Sequence, residues 1–272
     1  MLGGKWMKDG CTPISILLVL VIGLASFGCN SLEAGGDTGG VGGRPGGAGG
    51  AGGVATAMLR VVHLAVGVPE VDATRLDFTV VDEGSFNGIA FGRASQPATL
   101  PSGMHSLDVT EPGGGQLLAS VTWELEADGR YTVVAYRDSS ESTTTGLMLF
   151  DGGADGLAIG SGRVLMGHGA DDSTWAMVDV VDSGASEVLA AGLVLGSQTE
   201  AIDLAAGEHE LGFSVASPPP AIDKGPFPID VSADETSVII VVDGDVVDQS
   251  VDATVYILGP DTTGMVPAIP LG

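Results

Sequence analysis

Positive charge is scarce in this chain. Ten lysines and arginines stand against 35 aspartates and glutamates in 272 residues, a formal net charge of −25. Such a surface repels phosphate backbones, which excludes nucleic acid as a partner. It also disfavours adhesion to anionic lipid headgroups. Cysteine is scarcer still, with Cys11 and Cys29 the only two. Beyond Cys29 the folded part has no disulfide, no thiolate metal site and no cysteine nucleophile. Hydrolase and nucleotide signatures are missing too: no G-x-S-x-G, no H-E-x-x-H, no C-x-x-C and no P-loop. The chain therefore reads as a non-enzymatic protein without a cofactor.

What is present begins with Lys5 and Lys8, followed by a charge-free stretch from Gly10 to Leu32 whose most apolar part is Ile14 to Phe27. A basic start and an apolar run of this length are the parts of a secretory signal. The run closes on small residues and then Cys29. This resembles a bacterial lipoprotein signal, cut just before a cysteine whose sulfur receives a diacylglyceryl group. Gly28 fits the position before the cut, whereas Ser26 and Phe27 depart from the pattern. Simple secretion and an uncleaved anchor are the alternatives. Glycines crowd positions 35–53, twelve of them in GGDTGGVGGRPGGAGGAGG. That stretch has almost nothing to bury and cannot repay the entropy of ordering, so it is expected to act as a tether. Asn30 leaves open which membrane is used, with the outer membrane or cell surface favoured.

The remainder holds two copies of one unit. ATLPSGMHSLDV (98–109) matches EAIDLAAGEHELGFSV (200–215), each with Gly-x-His-x-Leu opening a strand. LRVVH (59–63) matches LMGH (165–168), IAFG (89–92) matches LVLG (193–196), and VDA (71–73) matches VDV (178–180). LEADGRYTVVAY (125–136) matches VSADETSVIIVV (231–242), and GLMLFDG (146–152) matches TVYILGP (254–260). The order is the same and the spacing nearly constant. Short β-branched runs punctuated by SFNG, PSG, PGGG and ADG read as strands and turns. No helical period is sustained.

The expected fold is therefore all-β: two tandem antiparallel β-sandwiches, Ig-like or transthyretin-like, after a signal peptide and a glycine-rich linker. The expected boundaries are a signal at 1–28, a tether at 29–57, a first sandwich at 58–152, a linker at 153–161, a second, diverged sandwich at 162–260 and a tail at 261–272. A barrel is the alternative closure.

LRVVHLAVGVPEVDA, GIAFG, LPSGMHSLDV and DGRYTVVAY together resemble the DUF4397 family of extracytoplasmic bacterial domains. The residues that carry the resemblance are Arg60 to His63, Val71 to Ala73, Pro101 to Gly103 and Gly129 to Val133. In the second copy Leu165 replaces the arginine, Gly167 precedes the histidine and Ser237 replaces the tyrosine. The resemblance spans roughly 58–260 and implies an envelope or secreted β-domain, often in tandem, with no activity assigned to it.

Candidate chemistry rests on four histidines in two repeat-related pairs, His63 with His168 and His105 with His209, together with Asp72 and Asp179. Two histidines and a carboxylate suit a zinc or facial-triad site, and a metal-binding or metal-dependent protein is the alternative function. The competing reading has each histidine holding a turn backbone. Acidic runs at 151–156 and 243–248 fail the spacing of a calcium loop. Trp123 is expected in the core; Trp175, in a longer loop of the second copy, is a candidate contact. Cys29 is the expected lipidation site. The whole reads as a lipid-anchored binding or structural module of the bacterial cell envelope, attached to the membrane by its N-terminal lipid, whose partner is an envelope protein or a glycan.

Overall fold

A computed structural model describes residues 54–65, 75–137, 145–153, 155–170, 176–215, 224–243 and 253–271. Among them every regular element is a strand. The first copy contributes β1 (Thr56–Leu64), β2 (Arg75–Val80), β3 (Gly84–Ala90), β4 (Arg93–Ala94), β5 (Ala98–Pro101), β6 (Gly103–Thr110), β7 (Leu117–Leu125), β8 (Arg130–Arg137) and β9 (Thr145–Asp151). The second contributes β10 (Ser161–Gly169), β11 (Met177–Asp182), β12 (Glu187–Val194), β13 (Ile202–Ala205), β14 (Gly207–Val215), β15 (Lys224–Val231), β16 (Thr236–Asp243) and β17 (Ala253–Leu258). Two short strands close the chain, β18 (Gly264–Met265) and β19 (Ala268–Leu271).

Each copy is a two-sheet sandwich with the same pairing. In the first, β4 and β5 pair along β1, then β8 and β9, facing the sheet β3-β2-β6-β7. In the second, β13-β10-β16-β17-β19 faces β12-β11-β14-β15. One ladder per copy departs from the antiparallel expectation: β1 runs parallel to β8, and β10 parallel to β16. The cause is topological. The chain leaves β1, builds the whole opposite sheet, and returns to the neighbouring position pointing the same way. Parallel pairing needs such a crossover.

The hydropathy of the strands sorts the two kinds of sheet. β6 and β7 alternate, with Leu107 and Val109 inward and Ser106, Asp108, Ser120 and Thr122 outward. β1, β8 and β16 are near-continuous apolar runs, the mark of a sheet covered on both faces. Both faces are indeed covered. Leu59, Val61, Val133 and Ala135 enter the first sandwich core. Val164, Met166, Ile239 and Val241 enter the second. The alternate residues meet in a third core shared by the copies: Val62, Leu64, Val134, Tyr136, Met148 and Phe150 from the first, Leu165, Val238, Ile240, Val242, Tyr256 and Leu258 from the second.

Two features seal that shared core. Glycines of the second copy form sockets for large side chains of the first. A Cβ on Gly167 would stand 2.7 Å from Phe150 and 3.0 Å from the Met148 sulfur, and one on Gly169 would stand 3.0 Å from Tyr136. Gly167 and Gly169 take the strand positions that Val62 and Leu64 hold in the first copy, so this divergence follows from packing. Of the segment 261–272, expected as a tail, the described residues 261–271 cross back to the first copy. There β18 pairs with β4 and Val266 is buried in the shared core, before β19 returns to β17.

Candidate functional site

The four histidines occupy two repeated structural positions. His63 and His168 are fully buried near the ends of β1 and β10, and each Nδ1 accepts the N–H two residues on, from Ala65 and Ala170, at 3.2 Å. His63 also lies edge-on to Phe91, with ring centroids 5.8 Å apart. His105 and His209 each donate from Nε2 to the carbonyl four residues back, Pro101 and Ala205, at 2.8 Å. That bond spans the turn at Gly103 and Gly207, where φ is +131° and +133°. Only glycine takes this conformation without strain, which is why Gly-x-His-x-Leu recurs as a unit.

Among the described residues no group of three or more His, Cys, Asp or Glu could hold a metal ion. Within them, His63, His168 and His105 bond backbone groups, and His209 bonds a backbone carbonyl and one acid. Asp179 does not approach a histidine pair. Its Oδ1 accepts the Gly192 N–H at 2.7 Å and holds a bulge between β11 and β12. Asp72 and Cys29 lie outside the described residues, as does Trp175. Trp123 packs partly buried against the first core.

Strand register shows a carboxylate that sequence matching missed. Asp77, not Asp72, is the counterpart of Asp179. Asp77 accepts the Gly88 N–H at 2.5 Å across the same bulge, and the Gly113 N–H at 2.7 Å. The signal was present as an Asp one residue before the central apolar residue of each strand, in RLDFTV and MVDVVD. His209 has a partner that His105 does not: its Nδ1 bonds Asp182 Oδ2 at 2.9 Å, while Val80 stands at the equivalent position in the first copy. The Asp182 bond holds His209 above the usual histidine range despite opposing burial. Burial works against the Asp182 carboxylate, but the His209 and backbone hydrogen bonds outweigh it and hold its pKa low.

A cavity of about 440 Å³ lies where the two copies meet at the N-terminal ends of their parallel strand pairs. Its first wall is the outer face of β1 and β8: Met58 paired with Arg130, and Arg60 paired with Thr132. Its second wall carries Thr236 and Val238 of β16. Carboxylates gather at its mouth, among them Asp128 and Asp234 in matching turns with φ +61°.

Arg60 forms the floor of this cleft. It is 5% exposed. Its Nε donates to Thr132 Oγ1 at 2.9 Å, and its Nη1 donates to the carbonyls of Gly259, Pro260 and Thr262 at 2.7, 3.2 and 3.1 Å. No carboxylate among the described residues forms an ion pair with it. Burial pulls its pKa down to about 10, against a weaker upward pull from Asp261. In the second copy the Arg60–Thr132 pair becomes Leu165–Val238, both in the shared core. Thr236 adds a second buried polar group. It is 6% exposed, and its hydroxyl has no hydrogen-bond partner among the described residues.

Tyr131 explains another part of the first copy's signature. Its hydroxyl accepts the Glu126 N–H at 3.0 Å, and its ring lies over Gly129, where a Cβ would stand 2.5 Å from it. Ser237 replaces the tyrosine in the second copy, and Glu235 there takes the place of the glycine. The two substitutions are one event physically: without the ring, the socket is not needed.

No curated protein matches the chain. Three solved structures resemble it at low identity. The Bacillus anthracis TIE protein is 11% identical over 69% of this chain and 34% of its own, with a TM-score of 0.21. A carbohydrate-binding module, CBMbc (family CBM26) from Eubacterium rectale Amy13K in complex with maltoheptaose, is 14% identical over 76% and 99%, with a TM-score of 0.24. A leucine-rich repeat protein from Bacteroides thetaiotaomicron is 12% identical over 68% and 25%, with a TM-score of 0.19. The chain thus spans about a third of the length of the first of these, and at such TM-scores none adds to the fold described above. The family match is narrower than the resemblance over both copies: it runs from β1 through the first copy and ends at Val180, within β11. Over residues 57–180 the chain carries a domain of the family described as domain of unknown function, DUF4397.

Proposed function

We propose that this is a non-enzymatic lipoprotein of the bacterial cell envelope, anchored by acylated Cys29, that displays a binding or structural module of two fused sandwiches. The observation that carries this reading is the order of its parts. An apolar run closes on Cys29, glycine-rich chain follows over 35–53, and the sandwiches begin at Thr56. A single compact body on a glycine linker suits display away from a surface. The shared core supports the same reading, because it fixes loops of both copies in one rigid frame. The partner is an envelope protein or a glycan.

The test is acylation. Mass spectrometry of the protein from its native membrane fraction is expected to show a mature N-terminus at Cys29 carrying diacylglycerol. Cys29→Ala is expected to move the protein to the soluble fraction. An intact leader with an unmodified Cys29 would overturn the reading.

A further inference from the structure

The two sandwiches close one side differently. In the second, β17 carries β19 along its outer edge, with Val255 paired to Ile269 and Ala253 to Leu271. β19 also touches β15 across the sandwich. Beside that added strand Val255, Phe227 and Ile229 are buried. Strand register places Leu147 of β9 where Val255 stands, and Val121 and Trp123 of β7 where Phe227 and Ile229 stand. Those three are only partly buried, along with Ala119 and Leu149. Ile257, one residue beyond the reach of β19, is partly buried as Leu149 is. Among the described residues β9 pairs with β8 alone, so none of them takes the part of β19.

An edge strand displays unpaired N–H and C=O groups, and folds ordinarily blunt it. Among the described residues the other edges are blunted. β3, β7 and β12 adjoin bulges. β15 has Pro226 and Pro228. β5, β13, β18 and β19 are four residues or shorter. β9 runs seven residues, in unbroken register with β8 and without lysine or proline. A bare edge beside a partly exposed apolar strip is what strand addition uses: backbone groups give affinity and alternate side chains fill the strip.

One end of this side is acidic. Asp151 shares the face of Leu147 and Leu149 on β9, and Glu124 and Glu126 stand at the end of β7, all three exposed. Burial raises the Tyr131 hydroxyl's pKa, and Asp151, Glu126 and Glu124 add to the rise, so the three surround one point. Arg163, which also senses Asp151, is paired with Asp203 at 2.8 Å. Arg130 lines the cleft on the opposite face of β8. A strand antiparallel to β9 has its N-terminal end at Asp151, where a cation suits the acids.

We propose that the outer edge of β9 receives an extended segment of a partner protein, paired antiparallel, with apolar residues at alternate positions and a basic residue at its N-terminal end. This rests on the reading of the chain as a binding module and names the kind of partner it takes.

The test uses a fluorescein-labelled peptide, Lys-Thr-Ile-Thr-Ile-Thr-Leu, and the anisotropy it gains on titration with the full-length protein. Saturable binding is expected with a Kd no weaker than about 100 μM. Only alternate N–H groups of an added strand face β9. Backbone N-methylation of the three threonines, or of the two isoleucines and the leucine, should therefore weaken binding roughly tenfold or more for one set and leave the other unchanged. Asp151→Asn should weaken the lysine peptide about two- to fivefold and leave a version with glutamine for lysine unchanged. No saturation by about 1 mM protein, or the same effect from both methylated sets, would overturn the proposal. So would sedimentation showing a dimer that excludes the peptide, because a second copy would then take the edge. Acylation at Cys29 is untouched by any of these results, so the two readings fail separately.

Discussion

Single residues in this protein are explained by what their side chains meet. Gly129 is glycine because the Tyr131 ring covers it. Gly129→Ala is expected to cost about 1–3 kcal/mol through overpacking, measured by chemical denaturation, and Tyr131→Ser should relieve the clash. The His209–Asp182 pair sets a pH dependence. His209 is raised above its ordinary 6.5, so its contribution is full below that pH and lost as pH rises through the folded value. Asp182 is held below 3.8, so its contribution is full above that pH and lost as pH falls through the folded value. Stability from this pair is therefore greatest between about pH 4 and 6.5. Melting temperatures taken across pH 3–9 should show this fall on both sides, and Asp182→Asn should flatten it.

Elements show which part of the architecture the sequence carried. The strands β6 and β7 were legible because inward apolar residues alternate with outward polar ones. The Gly-x-His-x-Leu match was legible because the same turn and the same ring-to-carbonyl bond recur. The shared core was not legible. VVHL, YTVVAY and SVIIVV are apolar on both faces, so periodicity cannot say which face meets which partner. The Asp77–Asp179 correspondence was hidden because β2 and β11 sit at a different spacing from the other matched segments, and only strand register aligns them. The interface also accounts for residues that differ between the copies. Gly167→Val restores the first copy's residue but drives it into Phe150 and Met148. It is expected to destabilise by about 1–3 kcal/mol. A double-mutant cycle with Phe150→Ala should recover part of that loss, since residues in contact couple.

The strap at the chain's end belongs to the same scale. Arg60 holds the carbonyls of Gly259, Pro260 and Thr262, and β18 then pairs with β4. Arg60→Leu copies the residue found at Leu165 but leaves those carbonyls without their donor. A loss of about 2–3 kcal/mol is expected, together with faster proteolysis between 259 and 266. An unchanged digestion pattern would show that the strap is held by its strand pairing alone.

At the scale of the molecule, duplication has produced one body rather than two beads. Each copy closes its own core, and then the outer faces of both parallel-containing sheets close a third. The two contributions are unequal: the first copy supplies Tyr136, Met148 and Phe150, and the second supplies the glycine sockets that receive them and the returning strap. This asymmetry suits a fused pair better than two exchangeable domains. It also creates the cleft, whose walls come one from each copy.

Differential scanning calorimetry of the full-length protein tests the fusion of the two sandwiches most directly. A single unfolding transition is expected, with calorimetric and van't Hoff enthalpies equal for the folded body. Gly167→Val is expected to split it into two transitions by opening the shared core. Two independent transitions in the unaltered protein, each unmoved by Gly167→Val and Arg60→Leu, would contradict the account.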